Sequence, residues 1–287
     1  MLWIRRLALL LALLPALPLC LLPPAPALAG SADSGAAASL DRAVRDALET
    51  EAGADVTAVI DGDTLTLADG REIRLVGIQA PKLPLGRPGF EAWPLAEEAR
   101  QALEALTLGR RVELGFGGRR GDRHGRVLAH LFDVTEPGGD GRWVQGELLR
   151  AGLARVYSFA DNRAAIPQML ALERAARAAG RGIWGHSFYA VRSAEEAGRF
   201  LGGFELVEGR VIAVGRGGGK TYLNFAEDWR QDFTIAVDRR AERLFAEQGI
   251  DLGGYAGRSV RVRGWLKQRN GPMIEVTHPE QIEELDD

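Results

Sequence analysis

The chain has 287 residues, 46% of them hydrophobic and 26% charged, with a formal net charge of −3. That balance fits one large or two small globular domains with real cores. It excludes an indiscriminate polyanion binder, which would be strongly basic, so any nucleic-acid binding has to come from local patches.

Residues 1–29 carry Arg5 and Arg6, an apolar run broken by Pro15, Pro18, Pro23 and Pro24, and Ala27-Leu28-Ala29 before Gly30. A basic start, an apolar stretch and an A-x-A site predict a cleaved secretory signal, and the prolines argue against a retained anchor. The expected protein is exported, periplasmic or secreted, with no stable membrane insertion after cleavage. Cleavage leaves 34 basic and 39 acidic residues. Cys20, the only cysteine, lies inside the signal behind Leu19, where a lipoprotein would want a small residue. The mature chain then forms no disulfide.

Residues 30–54 read as a small-residue tether and a short amphipathic helix. Leu40, Ala43, Val44, Ala47 and Leu48 recur at helical spacing, with Ser39 as N-cap and Gly53 as stop. Strands are expected next. Val56, Ala58 and Ile60 alternate, then Leu65 and Leu67, then Ile73 and Leu75, with a turn at Asp69-Gly70. Pro94 opens a helix that Gly109 ends. Strands at 110–116 and 127–134, a helix at 143–151, a strand at 153–159 and a helix at 164–179 follow. This order predicts a small β-barrel with packed helices over 55–186. Residues 187–203 read as a charged linker. Over 204–287, strands at 205–214, 220–226, 232–237, 258–267 and 272–277, with a helix near 239–248, are compatible with a five-stranded OB-like barrel. Asn270-Gly271 is a strong hairpin turn.

Five short pieces carry a resemblance. They are Ile60-Asp61-Gly62-Asp63-Thr64, Ile73-Arg74-Leu75-Val76-Gly77-Ile78 with Ala80-Pro81, Asp122-Arg123-His124-Gly125-Arg126, Leu149-Arg150-Ala151-Gly152-Leu153-Ala154, and Gly182-Ile183-Trp184. In order and spacing, residues about 55–185 resemble the staphylococcal nuclease (thermonuclease) domain family. The resemblance implies a β-rich α+β fold: an OB-type barrel with packed helices, here followed by a second small OB-like β domain. It implies a scaffold for hydrolysing phosphodiesters in DNA and RNA with a calcium ion.

Carried over residue by residue, Asp63 falls at the family's first metal-ligand carboxylate, with Asp61 supporting the same loop. Arg74 and Arg126 fall at the two arginines that grip the scissile phosphate. A guanidinium suits that task, because it is always charged and can hold phosphate oxygens bidentately. Three positions depart from the family. Gln79 replaces the second metal-ligand aspartate and offers calcium only an uncharged oxygen. Ala80 replaces a threonine that ligates through its backbone carbonyl, which any residue supplies. Lys82 replaces the glutamate expected as general base. A protonated lysine cannot accept a proton, and losing a general base costs about 10²–10⁴-fold in rate. The divalent cation expected is calcium, weakly held, and Glu91 in the following loop is the candidate substitute base.

Single-stranded DNA or RNA is the partner these residues suggest. Six arginines fall between 110 and 126, with Arg120, Arg123 and His124 in one Gly-rich hairpin; a solvated loop is the competing reading. Tyr157 and Phe159 alternate along one strand, where base contact competes with core packing. In the second unit Arg261, Arg263, Trp265 and Lys267 share one face of a strand, the pattern of a single-strand platform. Against it, residues 203–287 hold 12 basic and 15 acidic residues. The stretch Gly215–Thr221 fails as a phosphate loop, because Val214 stands where a glycine is needed and a strand follows. It reads as a hairpin tip. Three functions stay open: a nuclease with altered catalysis, a non-catalytic phosphate-binding module, and an envelope protein acting through the second domain.

Overall fold

The computed structural model describes residues 31–136, 141–228 and 232–286; the expected signal, with Cys20, lies outside them. Helix α1 (Ser31–Asp46) leads into β1 (Glu49–Asp61). The expected helix therefore begins and ends earlier: the expected tether from Ser31 and the expected N-cap Ser39 lie inside it, and Gly53 lies within the strand. A Cβ at Gly53 would stand 2.3 Å from the Val112 carbonyl oxygen, so this glycine permits close strand contact. The polar start of β1 is strand because Glu49, Thr50 and Glu51 pair with Phe116, Gly115 and Leu114.

Strands β2 (Thr64–Leu67), β3 (Glu72–Leu75), β4 (Arg111–Phe116) and β5 (Val127–Asp133) complete the first barrel. Antiparallel pairs join β1 to β2, β2 to β3, β1 to β4 and β4 to β5, and a parallel contact between β3 and β5 closes the ring. Closure leaves no open edge. The alternating Leu65, Leu67, Ile73, Leu75, Leu114 and Leu131 fill the interior, each worth about 1.5–3 kcal/mol of burial. Helices α2 (Ala96–Thr107), α3 (Val144–Arg150) and α4 (Ile166–Ala178) pack around it. In α2, Ala96, Ala99, Leu103 and Thr107 form the buried stripe, and Glu97 and Glu98 favour the positive N-terminal end. The expected strand at 153–159 shrinks to Arg155–Val156, paired with Gln79 and Ile78.

The second unit comprises β6 (Phe204–Arg210), β7 (Ala213–Gly217), β8 (Lys220–Asn224), β9 (Thr234–Asp238), β10 (Ser259–Arg269), β11 (Gly271–Val276) and β12 (Ile282–Glu284), with α5 (Arg239–Glu247) after β9. Asp238 caps α5 by accepting the Ala241 N–H at 2.8 Å. The strands pair in the order β7-β8-β9-β11-β10-β6, and along that path only β9 and β11 run parallel. Because β6 and β7 follow each other in the chain, this repeats the succession of the first barrel as a half-barrel. The expected linker holds two 3₁₀ turns, Ser187–Tyr189 and Ala194–Phe200, and Arg192–Ser193 extends the β6 edge.

The contact between the units corrects one expectation. Arg263 does not stand on an open basic face: it is 1% exposed. Its guanidinium reaches Glu173 on α4 at 2.9 and 3.0 Å and also bonds Glu283. At Arg263 this face of β10 looks onto the first unit rather than onto solvent. Arg261 is paired with Glu208 at 2.9 Å and Lys267 with Glu275 at 2.7 Å. Trp265 remains 45% exposed but donates its indole N–H to the Tyr157 hydroxyl at 3.0 Å. The platform is thus consumed by ion pairs and the domain interface. Ser158 with His278 at 2.7 Å and Arg163 with Glu280 at 2.7 Å add to that interface.

Candidate functional site

The β1–β2 turn builds the centre of the site. Asp61 Oδ1 accepts the Asp63 N–H at 3.0 Å, which folds the turn on itself. A Cβ at Gly62 would stand 2.6 Å from the Ala80 Cβ and 2.8 Å from the Ala99 Cβ. The turn is therefore pressed between α2 and the segment after Gln79, which aims Asp63 inward. Asp63 is fully buried. Its Oδ2 accepts the Ala80 N–H at 2.8 Å and lies 3.2 Å from Arg74.

Lys82 occupies the remaining space. Its Nζ lies 2.7 Å from both Asp63 oxygens and 3.4 Å from Asp61 Oδ2. Burial opposes ionisation of Asp63, but Arg74 and Lys82 outweigh it and hold its pKa at about 2. Burial, then the neighbouring Asp63 charge, pushes Asp61 the other way, above the usual carboxylate range. One carboxylate of the pair is firmly ionised, and an ammonium neutralises it.

The donor set does not fit a calcium ion. Gln79 turns its amide oxygen to Arg155, at 2.7 and 3.0 Å. This corrects its expected place as a metal ligand: buried Arg155 needs an acceptor more than the site gains one. Arg155 lies over Phe204 at 4.8 Å, and burial lowers its pKa to about 10. The Ala80 N–H donates to Asp63 Oδ2 and so takes up part of the acceptor capacity a cation would use. No cluster of three or more His, Cys, Asp or Glu side chains suited to a metal occurs among the described residues. A hard cation wants six or more oxygens, whereas here two carboxylates enclose an ammonium.

A cleft of about 670 Å³ opens beside this centre. Arg74, Lys82, Arg87, Arg119, Arg123 and Arg126 line it against only three acids, Asp61, Asp122 and Asp161. His124, Tyr157 and Phe159 line it too. Arg126 is steered by Asp122 at 2.7 Å, and Asp122 also accepts the His124 and Arg126 backbone N–H groups. Arg123 and His124 are exposed and bond each other at 3.1 Å. Arg74 is more constrained: it bonds the Leu75 carbonyl and, at 2.7 Å, the Ile78 carbonyl. Tyr157 and Phe159 meet edge to face at 5.0 Å.

Other expected residues lie elsewhere. Arg120 pairs with Glu49 at 2.5 Å, stacks over Phe116 at 4.2 Å and does not line the cleft. Glu91 is exposed and does not line it either. Arg261, Arg263 and Trp265 are likewise absent from its lining. Arg155 carries no signal in sequence, because nothing local marks an arginine for burial. Arg119 was legible only as one of a charge run.

Fold and cleft together define an OB-type barrel protein with a cationic groove suited to phosphate. The description "Staphylococcal nuclease homologue" matches residues 72–186. Over 136 residues the chain is 33% identical to Protein ParB of Escherichia coli, covering 45% of this chain and 71% of that protein. It is 31% identical over 121 residues to an uncharacterized 38.1 kDa protein of Capnoides sempervirens, covering 42% of this chain and 30% of that one. The chain belongs to the staphylococcal nuclease homologue family and carries a nuclease-family scaffold. Asp61, Asp63 and Gly62 fall just before the matched span.

Proposed function

We propose that this protein binds single-stranded DNA or RNA in the cleft and does not cleave it by calcium-dependent hydrolysis. The observation that carries this reading is Lys82 Nζ at 2.7 Å from both oxygens of Asp63. A fixed ammonium stands where a divalent cation would need those oxygens, and it supplies a positive charge for phosphate without metal. Arg126, held by Asp122, and Arg123 offer phosphate contacts, while Tyr157, Phe159 and His124 offer surfaces for bases. Arg119 adds charge at the rim. The protein acts outside the cytoplasm after its signal is removed; the sequence of residues 1–29 supports that part alone.

The test uses purified residues 30–287 and fluorescein-labelled single-stranded DNA and RNA. Binding should be insensitive to EDTA and to millimolar calcium, should weaken in Arg126→Ala, and should leave the strands intact. It should also fall with added salt, at a slope of about 0.7 per phosphate contacted. Cleavage that requires calcium and disappears in Asp63→Ala would overturn the reading.

A further inference from the structure

We propose that the half-barrel carries a second face for single-stranded nucleic acid, built by Arg216, Tyr222, Asn224, Arg269 and Asn270. A cavity of about 460 Å³ lies there, and none of its lining residues lines the cleft of the first barrel. The β7–β8 hairpin supplies Arg216 and the β10–β11 hairpin supplies Arg269 and Asn270, with the outward face of β8 between them. In OB folds the same elements, the sheet face at strands two and three and the two flanking hairpin loops, receive oligonucleotides or oligosaccharides.

The residues decide between those ligands. Arg216 and Arg269 are exposed and have no ion-pair partner among the described residues, and no acid lines the cavity. An uncharged sugar has no use for two unpaired guanidinium groups, whereas a phosphate backbone does. Tyr222 is the base platform. On β8 it alternates outward with Lys220 and Asn224, while Thr221 and Leu223 point into the core. Its cross-strand neighbours are Gly215 and Ala236. Neither has a side chain large enough to cover the ring, and the ideal Cβ position at Gly215 meets nothing within 4 Å. An aromatic with bare neighbours offers its face to an unpaired base. The amides of Asn224 and Asn270 present donors and acceptors for base edges.

The proposal does not depend on the cleft binding anything, and its test separates the two. Oligo(dT) binding would be followed by fluorescence anisotropy on residues 30–287 carrying Arg126→Ala, which weakens the cleft. In that background Tyr222→Ala should weaken binding about tenfold, the loss of one base stack, while Tyr222→Phe should keep it. Arg216→Ser with Arg269→Ser should lower the salt slope by about 1.4, or two phosphates. Circular dichroism and the urea midpoint should match the parent in all three, because the residues are exposed or half-exposed. Binding and salt slope unchanged in Tyr222→Ala and in the double-arginine variant would overturn the proposal. So would binding of an uncharged hexasaccharide that Tyr222→Ala abolishes while oligo(dT) binding stays unchanged.

Discussion

Lys82 is both the departure from the family pattern and the means by which that departure is stable. Two buried carboxylates side by side repel, and a bound divalent cation is one remedy; an ammonium on a four-carbon stem is another. Removing only the cation leaves Asp63 with a buried, underpaired charge. Lys82→Met should therefore cost about 1–3 kcal/mol at neutral pH, measured by urea unfolding. Its pH dependence has a fixed sign. The Asp63 pKa is depressed from 3.8 to about 2 in the folded protein, so its stabilisation is present above about pH 4 and lost as pH falls through about 2. Without Lys82 the acid midpoint should move to higher pH. The complementary change restores acids rather than removing charge. Lys82→Glu with Gln79→Asp should create calcium affinity in the millimolar range or tighter, read by calorimetry, where the parent should give no heat of binding. If the double variant also stays silent, Arg155 still needs the acceptor it had in Gln79, and the site's geometry has adapted to the lysine.

Among the elements, one tight constraint is a backbone crossing between the end of α3 and the end of α4. Gly152 (φ 67°) would put a Cβ 2.2 Å from the Arg181 carbonyl oxygen, and Gly182 (φ 54°) would put one 2.3 Å from the Gly152 oxygen. The Ile183 N–H bonds the Gly152 carbonyl at 2.8 Å, which locks the crossing. Two of the five recognisable sequence pieces, Leu149–Ala154 and Gly182-Ile183-Trp184, thus meet in space. Gly152→Ala combines a left-handed backbone with a clash against main chain, which cannot rotate away. It should cost at least about 2–3 kcal/mol in a thermal or urea melt. Such motif glycines are legible in sequence because their role is local. The alternation of Leu65, Leu67, Ile73 and Leu75 was legible for the same reason, and the barrel strands came with it. The start of β1 was not: Glu49-Thr50-Glu51 has no apolar face, and only the distant partner β4 makes it a strand. Nor could sequence place Gln79 against Arg155, a pair 76 residues apart whose geometry depends on the finished fold.

At the scale of the molecule, the second unit is bolted to the first by buried charge. Period-two alternation placed Arg263 on the correct face of β10, yet alternation cannot tell a face in water from a face against another domain. Two buried histidines add a pH dependence to the whole. Burial lowers His130 to about 3 and His278, at the interface, to about 4. Their folded values lie below the unfolded value of 6.5, so the unfolded chain gains protons first as pH falls. Stability should decline below about pH 6.5 by about 1.4 kcal/mol per pH unit for each, and His278→Asn should flatten the slope by one such increment in urea midpoints. The charge cluster itself gives the strongest test. Arg263 holds Glu173 and Glu283, and Arg177 approaches the same two acids at 2.8 and 3.5 Å. Glu173 Oε2 also accepts the Val156 N–H at 2.6 Å, and Arg155-Val156 pairs with Gln79-Ile78 in the floor of the site. Arg263→Met would leave two buried carboxylates balanced only by Arg177 and by the half-exposed Arg174, 3.4 Å from Glu283, at a cost of about 3–5 kcal/mol. It would also free the half-barrel to unfold separately, turning one urea transition into two when followed by Trp fluorescence and by far-ultraviolet circular dichroism. Adding Glu173→Gln removes one of the stranded charges while keeping the acceptor for Val156. That double variant should recover at least half of the loss. A cost under about 1 kcal/mol for Arg263→Met would mean that Arg177 and Arg174 suffice to balance both acids. The two units would then be held by Tyr157, Trp265, Ser158 and His278 rather than by the buried charge.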